Sequence, residues 1–488
     1  MSSTALRCLS SALGTRSDPK PKAKCLLAFL ILIVAYSVRS LHAVDLPPLM
    51  YTADQPGAGM TADYDSQARD ICKGRGVLVP RNAKASDTSL LSRPPGYPIF
   101  LASIYVSFGR DFFTVQRIQN LVDSISSVLV FLIAGTLLSW RVGTVTRLLT
   151  AVSHHLAVIS NSILPDSLCV PPILAAFYLL LKAGRSSRSS NWLCAVAGVM
   201  LGLSIWLRPN AIFIGPFFML ALSLFARRRC RAVRHTGIMT LTSFIVVAPI
   251  TVRNYIIYRQ FVPITDHLGA VLWEGIGEAG GARFGAVATD AEIGPQEAVL
   301  YGDSRYAYSW STPDGIRRDH DRIRKSLGII VRNPGWHLHT VVRRMERMLR
   351  CARSGPLIKR KYAPSDHWPM ASESSQEIAA QTAPSPFAES TSWMRPAVKR
   401  IQRILKESVV PSIVIGGVII FMTSRRRASL TMMVPLYYLL LQSSMHTEAR
   451  YTVAMQYFLF ILVSTFWVLL GVAALNLAKR IASRAATT

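Results

Sequence analysis

Ten stretches of the chain run almost free of charge: 25–41, 114–138, 144–162, 167–182, 192–207, 210–226, 238–256, 406–423, 429–444 and 452–476. Most approach the about 17–25 apolar residues that cross the hydrocarbon of a bilayer as a helix. Three of them, 144–162, 192–207 and 406–423, are marginal. The pattern predicts an all-α polytopic membrane protein of about ten spanning helices. The first stretch, apolar from Leu26 to Val38, follows Arg16, Lys20, Lys22 and Lys24, and Arg39–Leu46 offers only a weak small-residue cleavage site. It reads as an uncleaved signal-anchor.

The polar stretches between these segments set a direction. Counted from a cytoplasmic N-terminus, the inner loops carry Arg141 and Arg147; Lys182, Arg185 and Arg188; Arg227, Arg228, Arg229, Arg231 and Arg234; and Arg425, Arg426 and Arg427. The tail adds Lys479, Arg480 and Arg484. Basic residues in short loops stay cytoplasmic, so both termini are expected inside a cell (inner) membrane. Four regions follow: a basic N-terminus (1–24), a bundle (25–256) with a long first outer loop (42–113), a large outer loop (257–405), and the last helices with their basic tail (406–488). In the first outer loop, Tyr64, Ala68, Ile71 and Cys72 share one side of a helix that Gly74 and Gly76 would end. The ten residues IFLASIYVSF beyond Pro98 are too short to span and read as interfacial. The large loop predicts glycine-rich turns at 275–285, a charged helix over Arg317–Arg332, an amphipathic run WHLHTVVRRMERML, and a Ser/Thr/Pro/Ala-rich linker at 364–396.

Composition narrows the class. Half of the 488 residues are hydrophobic, with mean hydropathy +0.30, which sets an ordinary soluble protein aside. The net charge of +28 is explained largely by inner loops facing anionic lipid, so no nucleic acid is expected. The large outer loop is also basic and suggests an anionic partner. Seven cysteines are scattered without metal-ligand spacing; Cys72 and Cys351 both fall in outer loops, where they are able to pair. No cofactor is expected and no metal cluster is visible, while a divalent metal stays open.

The direction places Asp63, Asp65, Arg93, Asp166, Arg208, Arg253, Glu448 and Arg450 at helix or loop ends on one side of the membrane. Ionisable groups at such places usually face a cavity or a partner. Arginine grips phosphate through a planar fork, and a carboxylate serves as a general base. Together they suit a phosphorylated lipid whose phosphate departs as an acceptor hydroxyl attacks, inverting a sugar carbon. Blander duties are open to each: Asp63 and Asp65 as helix caps, Asp166 as a cap of the fourth span, the arginines as interfacial anchors. A transporter or flippase of lipid-linked glycans would also use arginines, but at the midplane and with repeated halves, and no repeat is seen. A glycan ligase or polymerase is a closer rival.

The order ADYDSQARDICKGRG and RPPGYPIFLA, then NSILPDSL, GLSIWLRPN, APITVRNYIIYRQFVPITDHLGAVLWEGIG and HTEARY resembles the GT-C superfamily of membrane glycosyltransferases. The branch it is similar to is related to aminoarabinose transferase and the protein O-mannosyltransferases (glycosyltransferase family 39-like). The resemblance implies a GT-C-type transmembrane bundle, a polyprenyl-phosphate-linked sugar as donor, and a glycan, lipid or protein acceptor on the outer face, with membrane lipids around it. It implies a base in the first outer loop, a position that Asp63 or Asp65 fills, and an acid in the second outer loop, filled by Asp166 where the family usually shows glutamate. Arg93, Arg208, Arg253 and Arg450 would hold the donor phosphate, with Tyr64, Tyr97, Asn254, Glu448 and Tyr451 in support.

Overall fold

The computed structural model describes residues 21–45, 58–79, 85, 87–186, 190–226, 228–349 and 395–485. Among them the regular structure is helical. All ten apolar segments are helical, 144–162 as two helices; the first part of the chain gives α1 (Pro21–Asp45), then α2 (Ala58–Cys72) and α3 (Gly96–Phe108) in the first loop, then α4 (Phe112–Leu137), α5 (Trp140–Val152), α6 (His154–Asn161), α7 (Val170–Arg185), α8 (Ser190–Leu207), α9 (Ile214–Phe225) and α10 (Arg229–Tyr258). The large loop supplies α11 (Leu268–Gly280), α12 (Asp290–Tyr301), α13 (Gly315–Arg332) and α14 (Pro334–Leu349), and the chain closes with α15 (Arg395–Thr423), α16 (Arg425–Ser443) and α17 (Val453–Ala485).

Not every apolar segment is long enough to cross a membrane as a single straight helix. Among the described residues five helices are long and apolar enough to cross a membrane alone, or seven if each bent pair is one span. The segment 144–162 is one such pair, bent by 53° at Ser153, and the segment 406–423 belongs to the other, bent by 45°. α7 and α9 are shorter than a bilayer, with 16 and 12 residues. α16 opens on Arg425, Arg426 and Arg427 and carries Thr431, Gln442 and Ser443, which are buried in the bundle. Such segments reach their depth by packing on protein, not by facing lipid.

Small residues let these helices close on one another. Gly198 and Gly202 of α8 lie against α10 at Met239 and Val246, and Gly416 of α15 lies against Leu462 of α17, with no room for a Cβ at any of the three. Close backbone approach of this kind is how helices associate where lipid offers no hydrophobic drive. The core fills the bundle between α4, α7, α8, α16 and α17, with Phe177, Phe218 and Phe458 packed edge to face. Caps start the helices where chain direction must change: the Asp111 carboxylate accepts from Phe113 N and Thr114 N at the head of α4.

The loop helices follow the sequence pattern with two differences. Tyr64 and Ala68 of α2 are buried as expected, Gly74 and Gly76 end the segment at positive φ, and Cys72 is exposed with a free thiol; Cys351 lies outside the described residues. The linker 364–396 also falls outside them, apart from its last two residues. The glycine-rich stretch 275–285 is not a set of turns up to Gly280 but the end of α11. Gly275 meets the backbone at Met445–His446 and Gly277 meets Val287, so these glycines serve close packing, which overrides their poor helix propensity.

Candidate active site

One end of the bundle gathers α2, the turn before α3, the 162–169 turn, the start of the 208–213 segment, α11 and the 444–452 loop. Contacts lock these pieces together. Gly96 touches the Trp206 carbonyl, which docks the Arg93-Pro94-Pro95 turn on the end of α8, close to Arg208. Asn210 Nδ2 donates to the Tyr451 carbonyl at 3.2 Å, and Tyr437 Oη donates to the Asn210 carbonyl at 2.6 Å. His446 N donates to the Val271 carbonyl at 3.1 Å.

The two aspartates of α2 have different surroundings. Both lie inside the helix, which begins at Ala58, so neither caps it. Asp65 is fully buried and saturated: Tyr105 Oη donates at 2.8 Å, Arg110 donates from Nε and Nη2 at 3.0 Å each, and Arg69 Nε is ion-paired at 3.1 Å. Asp63 keeps 49% of its side-chain surface open and meets one partner, Arg93, whose Nη2 and Nε reach the same oxygen at 3.3 and 3.4 Å. Dense surroundings in the recess raise the Asp63 pKa above the ordinary carboxylate value and outweigh Arg93, which lowers it.

Two more arginine–carboxylate pairs face this recess. Asp166 is buried, pairs through Oδ1 with Arg208 Nη1, and leaves Oδ2 buried without a hydrogen-bond partner. It does not cap α7, whose N-cap is Cys169. Arg450 reaches Glu448 through Nε at 2.5 Å and Nη2 at 2.9 Å. The guanidinium carbons of Arg208 and Arg450 lie 4.4 and 5.2 Å from the centre of the Tyr451 ring. Tyr64 stands within the electrostatic reach of Arg93, Arg208, Asp166 and Arg450, and packs edge-on against Tyr97 at 5.0 Å. Tyr97 Oη in turn donates to Gln119 at 3.0 Å.

Arg253 and Asn254 are not brought into this group by their contacts. Arg253 is buried, gives Nε and Nη2 to Asn254 Oδ1 at 2.9 and 2.7 Å, and reaches the Leu90 carbonyl at 3.4 Å. Asn254 Nδ2 donates to the carbonyls of Val262 and Ile264 at 2.9 and 3.0 Å. Irregular backbone at 87–91 and 262–264 leaves carbonyls in need of donors, and this pair supplies them.

The structure adds residues the sequence reading passed over. His446 joins Glu448 and Glu278 at 3.4 Å each; burial alone would lower its pKa, but these carboxylates hold it up to about 10. Those same cations, Arg450 first, outweigh burial at Glu448 and hold its carboxyl well below the usual range. Glu274 of α11 is pushed up to about 8 by burial, against the lowering effect of His446. Below the recess, Arg39 of α1 gives Nε to Asp123 of α4 at 2.7 Å and Nη2 to Tyr457 of α17 at 3.1 Å, all sealed in the bundle. A signal for this last bridge was present: a lone Asp123 within an apolar span and Arg39 just past another, each costly in a membrane without a partner.

Comparison with known proteins bears on what this arrangement is. The family model described as dolichyl-phosphate-mannose-protein mannosyltransferase matches residues 92–252, about a third of the chain. No curated protein matches. The fold is similar to the oligosaccharyltransferase of Archaeoglobus fulgidus in the apo form, over 95% of this chain and 52% of that one, at 12% identity and TM-score 0.51. The archaeal oligosaccharyltransferase AglB from the same organism, in complex with an inhibitory peptide and a dolichol-phosphate, matches over 94% and 52% at 11% identity and TM-score 0.50. These likenesses give the chain the fold of the oligosaccharyltransferases and, over residues 92–252, a resemblance to the mannosyltransferase family. ArnT from Cupriavidus metallidurans in the apo state matches over 91% and 76% at 13% identity, with a TM-score of 0.37 that supports no correspondence of residues. The chain spans about half the length of the oligosaccharyltransferases it matches.

The region matched by the family model contains Arg93, Tyr97, Asp166 and Arg208 and leaves Asp63, Glu448 and Arg450 outside it. Chemically, the recess offers three guanidinium groups able to fork onto an anion and one half-open carboxylate able to accept a proton. Among the described residues no group of three or more His, Cys, Asp or Glu is arranged to hold a metal ion.

Proposed function

We propose that this protein transfers a sugar from a polyprenyl-phosphate donor to an acceptor hydroxyl, as a member of the GT-C superfamily, at the end of the bundle that carries α2 and the 444–452 loop, the outer face by the basic-loop count. Asp63 takes the proton of the acceptor as its oxygen attacks the anomeric carbon. The bond from that carbon to the phosphate oxygen breaks, and the polyprenyl phosphate leaves with the electron pair. Attack opposite the leaving group inverts the anomeric centre. Arg208 and Arg450 take the departing phosphate, with Arg93 between it and Asp63. Tyr451 braces both of the first two guanidiniums through its ring, and Asp166 and Glu448 aim them. Charge placed in advance where it develops in the transition state is the largest lever such a site has.

The observation that carries this reading is the contrast in α2: of two aspartates two residues apart, only Asp63 is open and singly paired. The neighbouring AglB structure in complex with a dolichol-phosphate, and the mannosyltransferase family model, support a polyprenyl-phosphate donor in general. The test is mass spectrometry of lipid-linked and envelope glycans from cells with the protein, without it, and with Asp63→Asn. A sugar modification present only with the unchanged protein supports transfer. Identical glycans in all three, with the lipid-linked pool also unchanged, overturn it. A pool that shifts sides of the membrane without any new glycan would favour a flippase.

A further inference from the structure

One carboxyl group beside the site has no duty in the proposal above. Glu274 lies on α11, and α11 is fixed on three sides. Asp319 Oδ1 accepts from Gly269 N and Ala270 N at its head, at 2.9 and 3.2 Å. Gly275 meets the backbone of the 444–452 loop, and Gly277 meets that of Val287. Glu274 precedes the first of these glycines; His446, Asp290, Glu448 and Glu278 are the charges that act on it, and Tyr451 lies within its electrostatic reach. It is 7% exposed, and no hydrogen bond or ion pair reaches it among the described residues. A buried polar group without a partner is costly, and when one persists beside a reactive recess a ligand is the natural partner.

Its position says which part of the ligand. Asp290 is an electrostatic neighbour of both Asp63 and Glu274, while Glu448 and Tyr451 connect Glu274 to Arg450. In a displacement the reacting sugar lies between the attacking oxygen and the departing phosphate, and this carboxyl shares a charged neighbour with the residue proposed at each end. We propose that Glu274 is a substrate-binding residue that holds a hydroxyl group of the transferred sugar; the inference rests on the glycosyl-transfer reading. A carboxyl group kept protonated near neutral pH by burial is able to donate and to accept, which is what a hydroxyl partner needs.

The test uses the full-length protein in nanodiscs and four probes: undecaprenyl phosphate, and the same lipid phosphate carrying mannose, glucose or galactose. At least one hexosyl lipid should bind the unchanged protein more tightly than undecaprenyl phosphate. Glu274→Ala should erase that advantage, a loss of about tenfold, and leave the affinity for undecaprenyl phosphate unchanged, which also shows that the variant is folded. Glu274→Gln, which still donates and accepts, should keep most of it. The inference is overturned if no hexose gives an advantage, if Glu274→Ala retains it, or if both kinds of lipid weaken equally. If the unchanged protein binds none of the four, the donor reading itself falls and takes this inference with it, so the two failures differ.

Discussion

The sealed ion pairs of this chain and its open ones use the same residue types and are built differently. Arg39–Asp123–Tyr457 in the bundle and Asp65 with Arg69, Arg110 and Tyr105 under α2 have short contacts, no solvent at the acid and each carboxylate multiply engaged. In the recess Asp63 holds Arg93 through one oxygen, and Asp166 holds Arg208 through one oxygen while the other is orphaned. Saturated pairs fix helices to one another. Under-saturated pairs keep charge aimed and still able to exchange partners, which is what a site receiving a phosphate and releasing it requires. The comparison also explains how one helix carries both kinds: Asp65 falls on the buried side with Tyr64 and Ala68, and Asp63 at its edge.

The sharpest way to break this contrast is to neutralise both aspartates separately. Asp63→Asn should lower transfer about 10²–10⁴-fold, the usual worth of a positioned base, with donor affinity nearly intact. Because the pKa of Asp63 is raised, the acid limb of the rate profile should lie above the ordinary carboxylate range, and transfer should fall as pH drops through it. Asp65→Asn should instead lower thermal stability and leave transfer per folded molecule within a few-fold. Equal transfer rates in the two variants would undo the assignment.

The sealed bridge offers the next largest effect. Asp123→Asn leaves Arg39 buried against a neutral partner, and stability should drop by about 3–5 kcal/mol, read as unfolding in detergent. The double replacement Arg39→Met with Asp123→Leu removes both charges and should recover most of that loss. If Asp123→Asn abolished transfer while stability held, the bridge would belong with the open pairs instead.

How much of this was legible in the chain depends on range. Hydrophobic period located all ten helices, because it is a local property, and the run of Tyr64 and Ala68 located the inward side of α2. The arginine–acid grouping of Asp63, Arg93, Asp166, Arg208, Glu448 and Arg450 was also readable, since loop order alone brings them to one end. Which aspartate is open was not, because it depends on Arg110, 45 residues away, and Tyr105, 40 away, both turning to Asp65. Arg253 was misread for the same reason: its partner carbonyl, Leu90, is 163 residues distant. Glu274 was hidden by glycines that signal a turn in isolation and a tight helix contact in the fold.

A smaller effect tests whether the open pairs act through shape as well as charge. Arg450→Lys keeps the cation but loses the planar fork that spans both Glu448 oxygens. Affinity for undecaprenyl phosphate should fall about tenfold, the worth of one charge-assisted bond, with stability nearly unchanged. The reciprocal change in a sealed pair, Arg110→Lys, should cost stability and leave that affinity alone. An undiminished affinity in Arg450→Lys would mean that Arg450 serves the 444–452 loop and not the ligand.

The smallest expected effect concerns pH and the 444–452 loop. His446 has a folded value of about 10 against an ordinary 6.5, so its stabilising contribution is complete below 6.5 and is lost as pH rises towards 10. Glu448 is lowered from 4.5, so its contribution is complete above 4.5 and is lost as pH falls below it. The loop should therefore be tightest between about 4.5 and 6.5 and loosen first on the alkaline side. Amide hydrogen exchange of residues 444–452, measured against pH and corrected for intrinsic rates, reads this directly. His446→Gln should flatten the alkaline side alone, because Glu448 keeps Arg450. A loop whose protection is constant from pH 6 to 10 would show that His446 is not held charged by Glu278 and Glu448.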